Sequence, residues 1–213
     1  MNIESPEVRY IYNVGEDRAM REIIEAYKRC MDLRESSKEN LYLKKLRLHH
    51  PWFRMMSFNS FKMVFDQGQL EEIKWGKKLY KQDARITDVY LVLSGKVSLN
   101  YIKEDKEVET FKEGGFLGFT LGEELLFYKD PLYRETAICE SKSCCVLRLN
   151  ARDLISLGDQ EFLRRNLDTE RLRNDMDMMF EHIGHIYNKK ERWRIQIAHR
   201  ELENAQEPET EYT

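Results

Sequence analysis

The sequence has little of what marks secreted or membrane-spanning proteins. Of its 213 residues, 4 are cysteines (Cys30, Cys139, Cys144 and Cys145), and no Cys-x-x-Cys pair occurs. This usage predicts reduced thiols in a cytosolic-type compartment. The N-terminal stretch MNIESPEVRY is polar and lacks the apolar segment of a signal peptide. No apolar run approaches the ~20 residues that cross a bilayer, so we expect no membrane span and no membrane partner.

Signatures of catalysis and of nucleic-acid binding are also missing. The chain has no nucleophile elbow, no Walker loop and no kinase signature, which predicts a non-enzymatic protein. Its 35 basic and 38 acidic residues give a net charge of −3, which argues against a general affinity for nucleic acid. His182 and His185 have a spacing that could hold a metal ion, but no third ligand is evident, so we predict no metal site.

Apolar spacing predicts helices at both ends of the chain and strands between them. Positions three and four apart indicate helices over Glu16–Leu33, Glu39–His49 and Asn59–Phe65. Alternating or short apolar runs indicate strands, and together they predict a small barrel or roll. The predicted strands are Leu70–Trp75, Lys78–Gln82, Val89–Leu93, Val97–Tyr101, Val108–Phe111, Arg134–Cys139 and Cys144–Leu149.

The C-terminal region is predicted to be one long amphipathic helix. Its apolar stripe consists of Leu172, Met176, Met179, Phe180, Ile183, Ile186 and Tyr187, and it continues through Trp193 and Ile197. The basic run at 188–200 is interpreted as a solvated helix face rather than as a contact with nucleic acid. The final stretch ENAQEPETEYT has a composition typical of disorder.

The most informative stretch is Gly118–Cys139, GFTLGEELLFYKDPLYRETAIC. It reads as a glycine-entered turn, one short helix, and a return that brings Arg134 back toward the helix start. Backbone N–H groups at a helix N-terminus attract anions, and an arginine adds a bidentate grip on a phosphate. Glu123 can accept hydrogen bonds from a sugar hydroxyl. These residues predict a site for one anionic, ribose-bearing small molecule.

The same stretch resembles the phosphate-binding cassette of the cyclic-nucleotide-binding domain family. The run from Asp88 to Val97 is similar to the hairpin of that family, and the resemblance covers Met55 to Gly158. It implies an α+β fold: an antiparallel, jelly-roll-like β-roll that carries the cassette, flanked by N-terminal helices and a long C-terminal helix. The expected division is a tail with helices at 1–54, the roll at 55–158, and the long helix with an acidic tail at 159–213.

The resemblance implies a cyclic nucleotide, cAMP or cGMP, as ligand. Glu123 would accept from the ribose 2′-hydroxyl, Arg134 would bind the cyclic phosphate, and backbone amides would complete the cradle. In the family, a threonine directly after the arginine tends to favour guanine. Glu135 occupies that position here, which argues weakly against cGMP. The implied binding residues are Gly122, Glu123, Glu124, Leu125, Arg134, Glu135 and Thr136.

Departures from the family pattern leave two hypotheses open. Ten residues separate Glu123 from Arg134, about two more than usual, and Leu125 replaces a small alanine beside the phosphate. The first hypothesis is a regulatory subunit that senses cAMP or cGMP. The alternative is a degenerate, ligand-free domain that serves as a docking subunit of a large assembly, for example a ciliary axoneme. Both place the protein in the cytoplasm, in the second case in a cilium or the cytoskeleton, with protein partners.

Overall fold

The computed structural model describes residues 14–51, 53–103, 106–111, 115, 117–129, 131–150, 152–153, 156 and 169–206. Within these residues, helices precede and follow a region of strands. The helices are α1 (Val14–Asp32), α2 (Ser36–His49), α3 (Phe58–Asp66) and α4 (Thr169–Gln206), with short 3-10 helices at Phe53–Met55 and Glu123–Leu126. Across the described ranges, none of these helices is both long and apolar enough to pass through a bilayer.

The strands form two antiparallel sheets of four strands each. They are β1 (Gly68–Lys74), β2 (Lys78–Tyr80), β3 (Asp88–Ser94), β4 (Val97–Lys103), β5 (Lys106–Phe111), β6 (Thr120–Leu121), β7 (Thr136–Cys139) and β8 (Ser143–Asn150). The first sheet has the order β1-β8-β3-β6 and the second β2-β7-β4-β5. This is the α+β fold with an antiparallel β-roll that the resemblance implied.

The predicted elements are confirmed, with shifts of a few residues at their ends. The shift at β7 affects the site, because this strand begins at Thr136 and leaves Arg134 and Glu135 in the segment before it. The cassette helix is a single 3-10 turn, Glu123–Leu126. The final stretch predicted to be disordered, 203–213, begins inside α4, which ends at Gln206, so for 203–206 that prediction is wrong. Residues 207–213 and the N-terminal residues 1–13 lie outside the described residues.

The central strands of the first sheet are buried on both faces. In β3, residues 89–94 are all buried. The run Val89–Leu93 contains no exposed polar residue at alternate positions, as is typical of a strand that is covered on both faces. In β8 the adjacent pair divides between two cores: Cys145 faces a cluster formed with the helices, and Cys144 faces the interior of the roll. Opposite faces for these neighbours are what strand geometry dictates.

Helix α4 crosses both cores. Its 38 residues correspond to a length of ~57 Å at 1.5 Å per residue. The first half of its apolar stripe packs in the helical core, and the second half packs in the core of the roll. The helical core takes Leu172, Met176, Met179 and Ile183, and the roll core takes Ile186, Trp193 and Ile197. The predicted continuation of the stripe through Trp193 and Ile197 is therefore confirmed.

Two buried carboxylates fasten helices to their neighbours. Asp175 on α4 accepts hydrogen bonds from the Ser57 backbone N–H at 2.9 Å and from the Ser60 hydroxyl at 2.6 Å. Both donors stand at the N-terminus of α3, where backbone N–H groups lack partners within the helix. Asp17 on α1 accepts from the Gly95 N–H at the β3–β4 turn and from Arg21. Asp175 therefore joins α4 to α3, and Asp17 joins α1 to the first sheet.

Candidate functional site

The cassette begins at a turn that only glycine fits. Gly122 has a φ of +80°, in the left-handed region, and a Cβ at this position would lie 2.5 Å from the Asp88 carbonyl oxygen. The 3-10 turn that follows is closed by the Phe127 and Tyr128 N–H groups, which donate to the Glu124 carbonyl at 3.0 and 2.9 Å. The glycine predicted to open the cassette therefore has a physical reason to be there.

The return segment is held against the second sheet. The ring of Tyr133 stacks on that of Tyr80 with 3.6 Å between centroids and 7° between planes. The Tyr133 N–H donates to the Ala84 carbonyl at 2.9 Å, and its hydroxyl donates to the Asp88 carbonyl at 3.3 Å. The hydroxyl oxygen of Thr136 accepts from the Gln82 N–H at 3.1 Å. These contacts fix the residues on either side of Arg134 and Glu135.

Three carboxylates form the floor of the cassette. Glu123, Glu124 and Glu135 are each no more than 1% exposed. Glu123 and Glu124 come from the 3-10 turn and Glu135 from the return segment, so the fold brings together groups that lie 11 and 12 positions apart in the chain. We refer to these three residues as the acidic floor.

Helix α4 covers the acidic floor and places a fully buried lysine on it. The Lys190 ammonium lies 2.9 Å from Glu123, 3.4 Å from Glu124 and 3.0 Å from Glu135, and its side chain is 0% exposed. One helical turn later, Arg194 donates to Glu135 at 2.7 Å and also to Glu124. Within the described residues, these two cations are the ones in contact with the floor.

The balance of charge explains how the carboxyl groups titrate. Three carboxyl groups face two cations, and Glu123 contacts Lys190 but not Arg194 among the described contacts. Burial raises the pKa of Glu123 to about 7, because Lys190 offsets only part of the desolvation and Glu124 repels its charge. Burial would also raise the pKa of Glu124, but Lys190 and Arg194 outweigh it and lower that pKa to about 2. A proton on Glu123 makes the cluster neutral.

The two cations are held in their charged forms by the same contacts. Burial opposes the charge of Lys190, but the three carboxylates outweigh it and raise its pKa. Burial likewise opposes the charge of Arg194, and Glu135 and Glu124 raise its pKa. A buried ammonium ion without such partners would lose its proton. Lys190 and the acidic floor therefore depend on one another.

Arg134 lies at the rim and not on the floor. Its side chain is 48% exposed, and its guanidinium donates to the Glu191 carboxylate of α4 at 2.9 Å. The same guanidinium lies 5.7 Å from the centre of the Tyr128 ring. Arg134 and Glu123, which the resemblance assigned to one ligand, are thus bound to different residues of α4.

Aromatic side chains extend the contact between the cassette and α4. The rings of Phe127 and Tyr187 lie 4.5 Å apart, and the hydroxyl groups of Tyr128 and Tyr187 are 2.6 Å apart. Leu125 is partly buried against the core of the roll. The 3-10 turn therefore meets α4 through apolar and polar contacts alike.

The structure gathers most of the predicted site residues and adds two that were missed. Glu123, Glu124 and Glu135 meet at the floor, Gly122 and Leu125 flank them, Thr136 anchors the return, and Arg134 stands apart at the rim. Whether these residues bind a nucleotide stays a prediction. The missed residues are Lys190 and Arg194, whose stretch was interpreted as solvated; for these two that interpretation is wrong, because they are 0% and 9% exposed.

A signal for Lys190 was present in the sequence. The buried positions Ile183, Ile186, Trp193 and Ile197 leave one gap in a repeat of alternating threes and fours, and position 190 fills it. A residue at that position faces the roll whatever its chemistry. A lysine there predicts buried acidic partners.

A comparison with models of known protein families agrees with this fold. The family model of the cyclic nucleotide-binding domain matches residues 70–161. No curated protein matches the sequence. Similar solved structures include the N-terminal domain of a transcriptional regulator from Streptomyces coelicolor, with 17% identity, a TM-score of 0.45, and coverage of 62% of this chain and 88% of that one.

Two further solved structures illustrate the range of similar proteins. The regulatory domain of Toxoplasma gondii PKA, crystallised with cAMP, has 19% identity, a TM-score of 0.43, and coverage of 57% of this chain and 44% of that one. The c-di-GMP-responsive regulator CLP of Xanthomonas campestris has 15% identity, a TM-score of 0.45, and coverage of 72% and 74%. At these identities and TM-scores, the likenesses say nothing about the function of this chain.

Proposed function

We propose that this protein is a non-enzymatic interaction module. The family model of the cyclic nucleotide-binding domain matches its residues 70–161. In the place that the resemblance assigns to a nucleotide, its cassette holds the basic segment 188–200 of helix α4. The observation that carries the proposal is the fully buried ammonium of Lys190, which lies within 3.4 Å of all three carboxylates of the acidic floor. An acidic floor is suited to a cation and not to a phosphate.

Electrostatics oppose a cyclic phosphate on this floor. Two negative charges ~4 Å apart repel each other by ~4 kcal/mol at an effective dielectric constant of 20. Lys190 and Arg194 neutralise the floor only while α4 stays in place. If α4 withdrew, the acidic floor would keep its three carboxyl groups. The cation that the resemblance assigns to the cassette, Arg134, would then be left to balance them. The ligand would then face an excess of negative charge.

Withdrawal of α4 would also expose apolar side chains. Ile186, Trp193 and Ile197 are buried in the core of the roll. Burial of a large apolar side chain contributes ~1.5–3 kcal/mol, so three of them contribute about 4.5–9 kcal/mol. A nucleotide of micromolar intrinsic affinity binds with ~8 kcal/mol. The competition with α4 would therefore remove most of its affinity.

A second candidate is the regulatory sensor of cAMP or cGMP. The half-exposed position of Arg134 favours it, because an exposed ion pair with Glu191 costs little to exchange for a phosphate. A nucleotide would then have to bind better to a state with α4 displaced than to the closed state. The expected protein partners and the cytoplasmic or ciliary location belong to the interaction-module proposal and are predictions.

A thermal-shift titration of the full chain with cAMP and cGMP separates the two candidates. A ligand at ~100 times its dissociation constant stabilises its protein by ~2.7 kcal/mol. We expect no change in Tm with either nucleotide at millimolar concentration. A rise in Tm that disappears in Arg134→Leu and persists in Arg192→Leu, an exposed arginine on α4, would replace the first proposal by the sensor.

Limited trypsin digestion tests whether the floor holds α4. Lys190→Glu places a fourth acid on the floor, and we expect faster cleavage within 188–200 than in the parent protein. Arg192→Glu is the matched control, because it also removes one trypsin site and one positive charge but lies at an exposed position. Equal cleavage rates for the two variants would show that the floor does not hold the helix.

A further inference from the structure

The end of the roll formed by the β7–β8 turn contains a pair of buried thiols. Cys139 ends β7 in the second sheet, and Cys144 lies near the start of β8 in the first sheet. Their sulfur atoms are 2.7 Å apart, and both residues are 0% exposed. This separation is shorter than the contact distance of non-bonded sulfur atoms and ~0.7 Å longer than a disulfide bond.

The surroundings of this pair favour a covalent link over other roles. Backbone carbonyl groups of strand β1 and of two turns accept from the two thiols: Ile73 and Ser141 accept from Cys139, both at 3.3 Å, and Lys96 accepts from Cys144 at 3.0 Å. Among the described residues, no group of three or more histidine, cysteine, aspartate or glutamate side chains could hold a metal ion. Both sulfur atoms are thus held in place, each facing the other.

The other two cysteines do not share this arrangement. Cys145 faces the helical core on the opposite side of β8, and Cys30 lies on α1 with its thiol donating to the Glu35 carbonyl at 3.1 Å. The fold therefore selects one pair from the six that four cysteines could form. A vicinal link between Cys144 and Cys145 is opposed by their opposite faces on the strand.

We propose that Cys139 and Cys144 are a reversible modification site that a peroxide converts to an intramolecular disulfide. One thiolate attacks a peroxide oxygen, the O–O bond breaks, and a sulfenic acid and hydroxide form. The second thiolate then attacks the sulfenic sulfur, the S–S bond forms, and hydroxide leaves and is protonated to water. In total, two thiols and one hydrogen peroxide give one disulfide and two water molecules, with two electrons passing from sulfur to oxygen.

The reaction is slow at neutral pH. Burial and the hydrogen bond with Cys139 together raise the pKa of Cys144 to about 12. Because the thiolate is the reactive form, the oxidation rate increases as the pH rises from ~7 to ~9. The link joins the two sheets at the end of the roll that contacts α1. There Gly95, whose N–H donates to Asp17 of α1, lies against the Ser143 carbonyl oxygen and the Cys144 backbone.

Thiol counting on the full chain tests the proposal. The reduced, folded protein is treated with hydrogen peroxide, then denatured and labelled with N-ethylmaleimide. We expect four labels before treatment and two fewer after it, with a mass loss of two hydrogens. After trypsin digestion without reduction, the peptide ETAICESK should be linked to SCCVLR, with the maleimide on Cys145 and on Cys30. Dithiothreitol should restore all four labels.

Two variants and a denatured control test whether the pairing is specific. Cys139→Ser should lose the linked peptide, and Cys145→Ser, its control at another buried position of the same hairpin, should keep it. The chain oxidised in urea should give mixed pairs, which shows that the fold selects the pair. Four labels after peroxide treatment of the folded chain, a link that involves Cys145 or Cys30, or direct oxidation to sulfinic acid would each overturn the proposal. If a variant fails to fold, the peptide mapping of the oxidised parent protein still tests the proposal.

Discussion

The two halves of α4 are bound in different ways, although one apolar stripe runs through both. The first half contacts the N-terminal helices, and its polar anchor is one carboxylate, Asp175, which accepts from uncharged donors at the start of α3. The second half contacts the roll, and its polar anchor is a cluster of five charged side chains around Lys190. The first anchor consists of separate hydrogen bonds. In the second, each charged group depends on the others to balance its charge.

This difference has an energetic consequence. A neutral donor that loses its acceptor costs the desolvation of one polar group. A buried ion that loses its partner costs much more, because its charge is left without compensation in a medium of low dielectric constant. The half of α4 that lies over the cassette should therefore respond more strongly to substitution and to pH than the half that lies over the helices.

The largest effect should follow Lys190→Met. The change keeps the length of the side chain and removes the ammonium, which leaves Arg194 to balance the acidic floor. We expect the free energy of unfolding in urea to fall by about 3–5 kcal/mol, since one partner of a buried ion cluster is lost.

Two further variants check this reason. Arg192→Met removes a positive charge from an exposed position of the same helix, and should change stability by less than about 0.5 kcal/mol. Adding Glu123→Gln to Lys190→Met removes the carboxylate that has lost its described cation and should recover part of the loss. If the double variant is no more stable than the single one, lost packing and not charge accounts for the effect.

The next largest effect should follow Asp175→Ala in the first half of α4. The substitution leaves the Ser57 N–H and the Ser60 hydroxyl without their acceptor, and should cost about 1–3 kcal/mol in urea unfolding. Ser60→Ala, which removes one of the two donors, is the milder control. A loss as large as that in Lys190→Met would remove the distinction between the two anchors.

The pH dependence should come from Glu123. Its pKa is about 7 in the folded protein against an ordinary value of 4.5, so its contribution is fully present below pH ~4.5 and is lost as the pH rises through ~7. Glu124 acts in the opposite direction, because its pKa is lowered to about 2 and its contribution is lost as the pH falls below ~4.5. The floor is therefore most stable near pH ~5.

Glu123→Gln isolates the first of these two effects. Between pH ~5 and ~8 the parent protein should lose about 1–3 kcal/mol relative to this variant, because glutamine has no proton to lose. Urea unfolding at several pH values measures the difference. Parallel pH profiles would mean that Glu123 is already ionised in the folded protein across this range, so that three negative charges share two cations.

The fold of both halves could be predicted from the sequence, but the chemistry of the second half could not. The spacing of Leu172, Met176 and Ile183 shows a buried helix face directly, and the turn at Gly122 needs glycine for steric reasons. Whether a lysine in such a face is buried depends on its partners. Those partners lie in the cassette more than 50 residues upstream, and periodicity does not show which groups meet in space.

The role of Arg134 could not be predicted for a related reason. The resemblance gave its place at the end of the cassette return, and the structure confirms that place. Its direction is decided by Glu191 on α4, outside the stretch that carries the resemblance. A motif shows where the chain places a side chain, and the competing partner decides what the side chain binds.

The smallest effect should therefore follow Arg134→Leu in the absence of any nucleotide. Its ion pair with Glu191 is exposed, and such pairs contribute about 0–1 kcal/mol. Arg194→Leu, which removes the same kind of group from the floor one turn further along α4 from Lys190, should cost several times more, because that guanidinium is 9% exposed and bonded to two buried carboxylates. Urea unfolding of the two variants measures which one loses more stability. If Arg134→Leu proved as damaging as Arg194→Leu, the rim arginine and not the buried cluster would hold the helix on the cassette.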